Sequence, residues 1–285
     1  MLPADLPVRI TIDVDGSGGR DMIKRHPLVI FTVLTFGLTW IVWVPRAAGV
    51  QVGAIGQLWT WIPAVAALLA AALTGGREAV RDLLGRLVRW RVAWWWYPVV
   101  ILGPAAFSAM VAGGYVLAGG SWQEAAPAAF QLSIPALVAF FAVLILTDGL
   151  GEELGWRGFA LPRLLQRWPP VTASVVLGLV WAAWHLPLLW TEGATLYGSP
   201  VWLLVLDICA KSILFTWVFV RTRESVLIAV LLHASMNLFA VPPVITSDLR
   251  LAILALIAEW LLVVIIGLIL IRLQPKPTEA EKAEG

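Results

Sequence analysis

The chain has 285 residues, 60% of them hydrophobic and 13% charged, with a formal net charge of +2, and its mean hydropathy is +0.86. Soluble domains average roughly 45–50% apolar and 25% charged residues, so the composition excludes a soluble globular protein and predicts an all-α polytopic membrane protein. The near-balanced charge gives no ground for a nucleic-acid partner, and Cys209, the single cysteine, sits in an apolar segment, which excludes disulfides and thiolate metal sites.

Residues 1–27 are polar and irregular and are read as a tail, with His26 beside Lys24 and Arg25 as a membrane flank. Met22 opens MIKRHP and is an alternative start. The apolar run that follows is too long for the h-region of a signal peptide and is followed by no small-residue cleavage site, so it is read as a retained span. A segment of about 20 apolar residues crosses a hydrocarbon core about 30 Å thick. Eight such segments are predicted, at about 28–45, 54–74, 95–118, 135–157, 171–190, 200–220, 225–243 and 251–271. They make one eight-helix domain over 28–272 and leave the charged tail 273–285 disordered.

Basic residues stay on the cytoplasmic side of a membrane. With both termini inside, Arg46 and Arg250 fall outside, Lys211 lies within a span, and the remaining Lys and Arg of the 20 fall inside. This predicts a multi-pass protein of the inner cell membrane with the lipid bilayer as its surroundings. After span two, GGREAVRDLLGRLVRWRVAWWW places Val80, Leu83, Leu84 and Leu87 at helical spacing among Arg77, Arg81, Arg86 and Arg89. That pattern predicts an interfacial amphipathic helix over about 77–92, anchored by Trp94, Trp95 and Trp96.

Polar groups at membrane depth are few: Asp148, Glu152, Glu153, His185, Asp207, Lys211, His233, Asn237 and Glu259. Each charge costs about 2.5–3.5 kcal/mol to insert, so each is a functional candidate. Span four runs into DGLGEELGWRGFALP, with its helix expected to continue as an amphipathic extension beyond the membrane until Pro169 and Pro170 open the next. Glu152 and His185 lie about 16 residues either side of that turn, about 24 Å of helix each, and so fall level in the antiparallel pair. His233 comes ten residues after Arg223, about 15 Å up helix seven, with Asn237 one turn further on the same face.

Adjacent helical residues point about 100° apart, so Glu152 and Glu153 serve different faces. Arg157 is at i+4 from Glu153, in the favourable acid-before-base order for an ion pair. Glu152 is then the freer carboxylate, and Asp148, one turn up on the same face, is expected either to share a proton with it or to cap a bend at Gly149 and Gly151. Asp207 and Lys211 form an i,i+4 pair, and Glu259 either joins Lys211 or lines the cavity. A carboxylate and an imidazole at one depth can activate water, and a second imidazole with a carboxamide can donate to a developing oxyanion. The inventory suits amide hydrolysis, while Glu152, His185 and His233 also make a set that a catalytic zinc uses.

EELGWRG at 152–158, WAAWH at 181–185 and HASMN at 233–237 resemble the three ordered motifs, EExxxR, FxxxH and HxxxN, of the CPBP (ABI/CAAX protease and bacteriocin-processing) intramembrane endopeptidases. RDLLGRLVRWRV before helix three is similar to the family as well. The resemblance implies an eight-helix intramembrane glutamic endopeptidase, related to type II CAAX prenyl endopeptidases, with a cavity open toward the cytoplasm. It implies that Glu152 activates water, that His185 orients it, that His233 and Asn237 stabilise the oxyanion, and that Glu153 and Arg157 support the site. Trp181 stands where the motif usually carries Phe and keeps an aromatic beside His185. The expected substrate is a peptide or membrane protein, lipidated or not, and a metal-free reaction is favoured over zinc. The rival readings are a catalytically silent scaffold or bacteriocin-immunity-type protein, and a proton-coupled transporter, which the absence of a visible internal repeat disfavours.

Overall fold

The computed structural model describes residues 25–52, 59–241 and 248–272. The polar tail up to Lys24, the alternative start at Met22 and the charged tail 273–285 lie outside them. The regular secondary structure of the described residues is all helical, with no strand among them. The principal helices are α1 (Pro27–Ala47), α2 (Ile62–Leu87), α3 (Trp96–Leu117), α4 (Ile134–Leu165), α5 (Pro170–His185), α6 (Val201–Arg221), α7 (Val226–Leu238) and α8 (Leu249–Arg272). A short 3-10 segment, Leu186–Trp190, continues α5.

Seven of these segments are long and apolar enough to cross a membrane, and α7 is shorter. Its 13 residues extend about 20 Å, against a hydrocarbon core of about 30 Å. The sequence pattern had extended this helix to 243. It ends at Leu238 because Phe239 leaves helical geometry, and Pro242 and Pro243 follow immediately in the sequence, where proline cannot continue a helix. At its other end Ser225 caps α7, its Oγ accepting from the Ile228 N–H and donating to the Arg89 carbonyl at 2.6 Å.

Helix α2 is broken at Gly76, whose φ of 63° and ψ of −151° lie outside helical space. Glycine reaches such angles without a Cβ penalty, so the apolar first half and the arginine-bearing second half run in different directions. The break falls where the expected amphipathic segment begins.

Helix α4 is the axis of the molecule. Residues 151–162 are buried without interruption, and the helix then runs on into an exposed end at Gln166, Arg167 and Trp168. Its neighbours are α2 along one side and α7 along another. Close approach to α2 is possible because glycines face it: a Cβ on Gly151 would meet the Thr60 carbonyl oxygen at 2.2 Å, and one on Gly155 the Pro63 backbone at 2.7 Å. Small residues at helix contacts replace the missing hydrophobic driving force in lipid with close packing. The core around α4 is aromatic, with Phe31 against Trp156 and Phe159. Trp184 donates to the Thr39 hydroxyl and Trp40 to the Trp184 carbonyl, tying α1 to α5.

These contacts predict that Gly151→Ala lowers stability by about 1–3 kcal/mol through overpacking. Gly37→Ala, at an exposed α1 position with nothing within 4 Å, is expected to be neutral or slightly stabilising. Thermal unfolding of the two purified variants in the same detergent checks the contrast.

Candidate active site

Two π-helical turns, Ile145–Gly149 and Leu154–Ala160, bracket the α-helical residues Leu150–Glu153. A π-turn carries more residues than an α-turn and so changes the direction in which the following side chains point; such turns recur at functional sites. Here they fan three acids of one helix toward different partners. Asp148 accepts from Asn237 Nδ2 on α7 at 2.9 Å. Glu152 accepts through Oε2 from the indole N–H of Trp181 on α5 at 2.9 Å. Glu153 accepts through Oε1 from Arg157 at 2.8 Å and meets His233 Nδ1 at 2.7 Å. Asp148 is thus held by Asn237 and Glu152 by Trp181, with no hydrogen bond between the two acids among the described residues.

Glu153 and Arg157 are fully buried, and Glu152 is 3% exposed. An isolated buried ion is prohibitively unfavourable, whereas one with a partner of opposite charge and good geometry is tolerated. The Arg157 guanidinium has Glu153 at one edge and two ring faces, Trp181 at 4.3 Å and Phe215 at 4.0 Å. Cation–π contacts of this kind strengthen when desolvated. Phe215, on α6, carries no motif signature and was not foreseen.

Trp181 is the hub of the site. Its ring centroid lies 5.9 Å from those of both His185 and His233. Its carbonyl lies 2.9 Å from His185 Nδ1. A carbonyl oxygen can only accept, so Nδ1 carries the hydrogen and Nε2 of the neutral ring holds a lone pair. The same argument applies to His233, whose Nδ1 faces an accepting carboxylate. His185 Nε2 can therefore accept from a water, and His233 Nε2 becomes a donor when that ring is protonated. Asn237 has one N–H committed to Asp148 and a second to offer.

Glu152, Glu153, Arg157, Trp181 and His233 thus form one contact network, with His185 attached through Trp181. Asn237 stands at its exposed rim with Asp148. Three links were not foreseen: Trp181 to Glu152, Glu153 to His233, and Asp148 to Asn237. The signal for the first was in the sequence, since Trp in place of Phe adds an N–H donor one turn before His185. Outside this network, Lys211 is held by Asp207 and lies 3.6 Å from Glu259 on α8, so the three intramembrane charges pair with one another. Among the described residues no group of three His, Cys, Asp or Glu side chains converges as a metal-donor set, and Glu152, His185 and His233 do not form one.

A family profile described as type II CAAX prenyl endopeptidase, Rce1-like, matches residues 134–239, the stretch that contains all three motifs. A protein of Methanococcus maripaludis named CAAX prenyl protease 2 is 26% identical over 242 residues, covering 80% of this chain and 88% of that one.

Lysine in place of Arg157 keeps a charge but loses the flat guanidinium that fits between two rings. Arg157→Lys is therefore expected to lower the midpoint of thermal unfolding by several degrees, and Arg157→Met, which leaves Glu153 buried without its cation, to cost about 3–5 kcal/mol. Unfolding followed by intrinsic tryptophan fluorescence measures both.

Proposed function

We propose that this chain is a CAAX-protease-related multi-pass membrane protein, an intramembrane endopeptidase that uses a glutamate-activated water. The observation that carries the reading is the hold of one residue on two others: Trp181 donates its N–H to Glu152 and lends its carbonyl to His185. A base and a water-orienting imidazole are thereby fixed relative to each other by a single rigid side chain and its backbone.

In this mechanism Glu152 Oε1, the oxygen not engaged by Trp181, takes a proton from a water whose other hydrogen is donated to His185 Nε2. The water oxygen bonds to the scissile carbonyl carbon, and the carbonyl π pair moves onto oxygen. The free N–H of Asn237 and Nε2–H of a protonated His233 donate to that oxyanion, with Glu153 holding the imidazole ring and stabilising its charge. Collapse of the intermediate breaks the C–N bond, and the proton on Glu152 passes to the departing amine. Glu153, Arg157 and Asp148 are positioning residues here. No step in this sequence needs a metal.

A substrate that is a peptide or a membrane protein fits a site buried among apolar helices. The relative's name makes a prenylated C-terminal peptide the first substrate to test. An orientation with both termini in the cytoplasm, in the inner cell membrane, is the one that the distribution of basic residues supports, and it turns the site toward cytoplasmic substrates.

The test is cleavage by the detergent-purified protein of a farnesylated peptide and its unlipidated counterpart. Glu152→Gln is expected to reduce kcat/KM by about 10²–10⁴, the range of a lost general base. Asn237→Ala is expected to reduce kcat by about 10²–10³, as for a lost oxyanion donor. Chelator is expected to leave the rate unchanged. Full activity in Glu152→Gln contradicts the mechanism, and loss on chelation with recovery on zinc contradicts its metal-free form.

A further inference from the structure

At the membrane-surface end of α2, α3, α6 and α7, away from the catalytic network, a depression of about 550 Å³ is lined by Val88, Arg89, Trp90, Arg91 and Arg223 among others. Two loops build it. The α2–α3 connection supplies Val88 to Val92, and the turn between α6 and α7 supplies Thr222 and Arg223. The loops are joined by Arg89, which donates to the Arg223 carbonyl at 3.1 Å and pairs with Glu224, and by Ser225 on the Arg89 carbonyl. Arg223 and Glu224 both have positive φ, 58° and 60°, so the turn holds a conformation that these residue types rarely adopt.

The charges here are unequally matched. Asp82 and Glu224 are taken up by Arg86 and Arg89. Among the described residues Arg91 and Arg223 have no carboxylate within salt-bridge distance, and both are exposed. Arg91 lies over the ring of Trp90 at 5.2 Å. The rim is apolar as well as basic: Trp90 and Val88 are 60% and 68% exposed.

We propose that this depression is a seat for an anionic phospholipid headgroup, with Arg91 and Arg223 as the phosphate-binding pair. Guanidinium groups fit phosphate oxygens in a bidentate manner, and a negatively charged leaflet attracts basic residues at the ends of spans. A water-borne phosphate would satisfy the arginines but leave Trp90 and Val88 in water. A lipid satisfies both, because its glycerol and upper acyl chains cover the apolar rim. The seat adjoins the cap of α7, so an occupied headgroup tightens the turn from which the His233 helix starts.

The test is native mass spectrometry of the full chain released from micelles that contain phosphatidylglycerol and phosphatidylcholine in equal amounts with identical acyl chains. Phosphatidylglycerol is expected to be retained about tenfold over phosphatidylcholine, with the preference falling as salt is raised. Arg91→Gln with Arg223→Gln is expected to erase the preference. Arg91→Gln alone, which touches none of the inter-loop hydrogen bonds, is expected to reduce it about threefold and decides the matter if the double variant unfolds. Arg250→Gln, at the opposite end of α3 beside Asp248, is expected to retain it. Equal retention of the two lipids by the wild type, or an undiminished preference in the Arg91 variants, overturns the assignment. Competition by soluble glycerol phosphate at the same concentration as the lipid overturns the choice of lipid over free phosphate.

Discussion

Two carboxylates at adjacent positions of one buried helix have to be satisfied from different directions, and much of this structure follows from how that is done. Glu152 and Glu153 are nearly or completely removed from solvent. Glu153 receives Arg157 from its own helix and His233 from α7, while Glu152 receives the indole N–H of Trp181 from α5. Arg157 in turn needs surroundings that accept a cation with few oxygens, and it finds the faces of Trp181 and Phe215. Four helices, α4, α5, α6 and α7, therefore meet at one polar network, and each contributes a group whose orientation the others fix.

The backbone is adapted to this demand. Two π-turns direct the acids outward at angles that a regular helix would not give. Gly151 and Gly155 of α4 let α2 approach almost to backbone contact. The short α7 needs only to carry His233 and Asn237 against α4, and its 13 residues do so without crossing a full bilayer thickness. In the proposed mechanism this division leaves Glu153 and Arg157 as supports while Glu152 and His185 handle water.

The helices themselves were legible in the sequence, because runs of apolar residues long enough to span a bilayer have few alternatives. The pairing of Glu153 with Arg157 followed from i,i+4 spacing, and the salt bridge of Lys211 with Asp207 did too. Links between helices were less legible. The depth argument made Glu152 and His185 neighbours but gave no hint that Trp181 would connect them, since spacing along one helix says nothing of an N–H aimed at another. The contact of Asp148 with Asn237 was not foreseen, because position along one helix does not say which side chain of another helix meets it. The end of α7 was placed too late because hydropathy continues past Leu238, although the prolines at 242 and 243 mark the stop.

The central claim is that Trp181 holds Glu152 by a charge-assisted hydrogen bond, and a double-mutant cycle on folding stability measures it most directly. Trp181→Phe restores the aromatic usual in the CPBP motif without the N–H, and Glu152→Leu removes the acceptor at similar volume. The account predicts a coupling energy of about 1.5–3 kcal/mol between the two substitutions, the range of hydrogen bonds to charged groups. Additive effects, with no coupling beyond the error of the unfolding measurement, would contradict it.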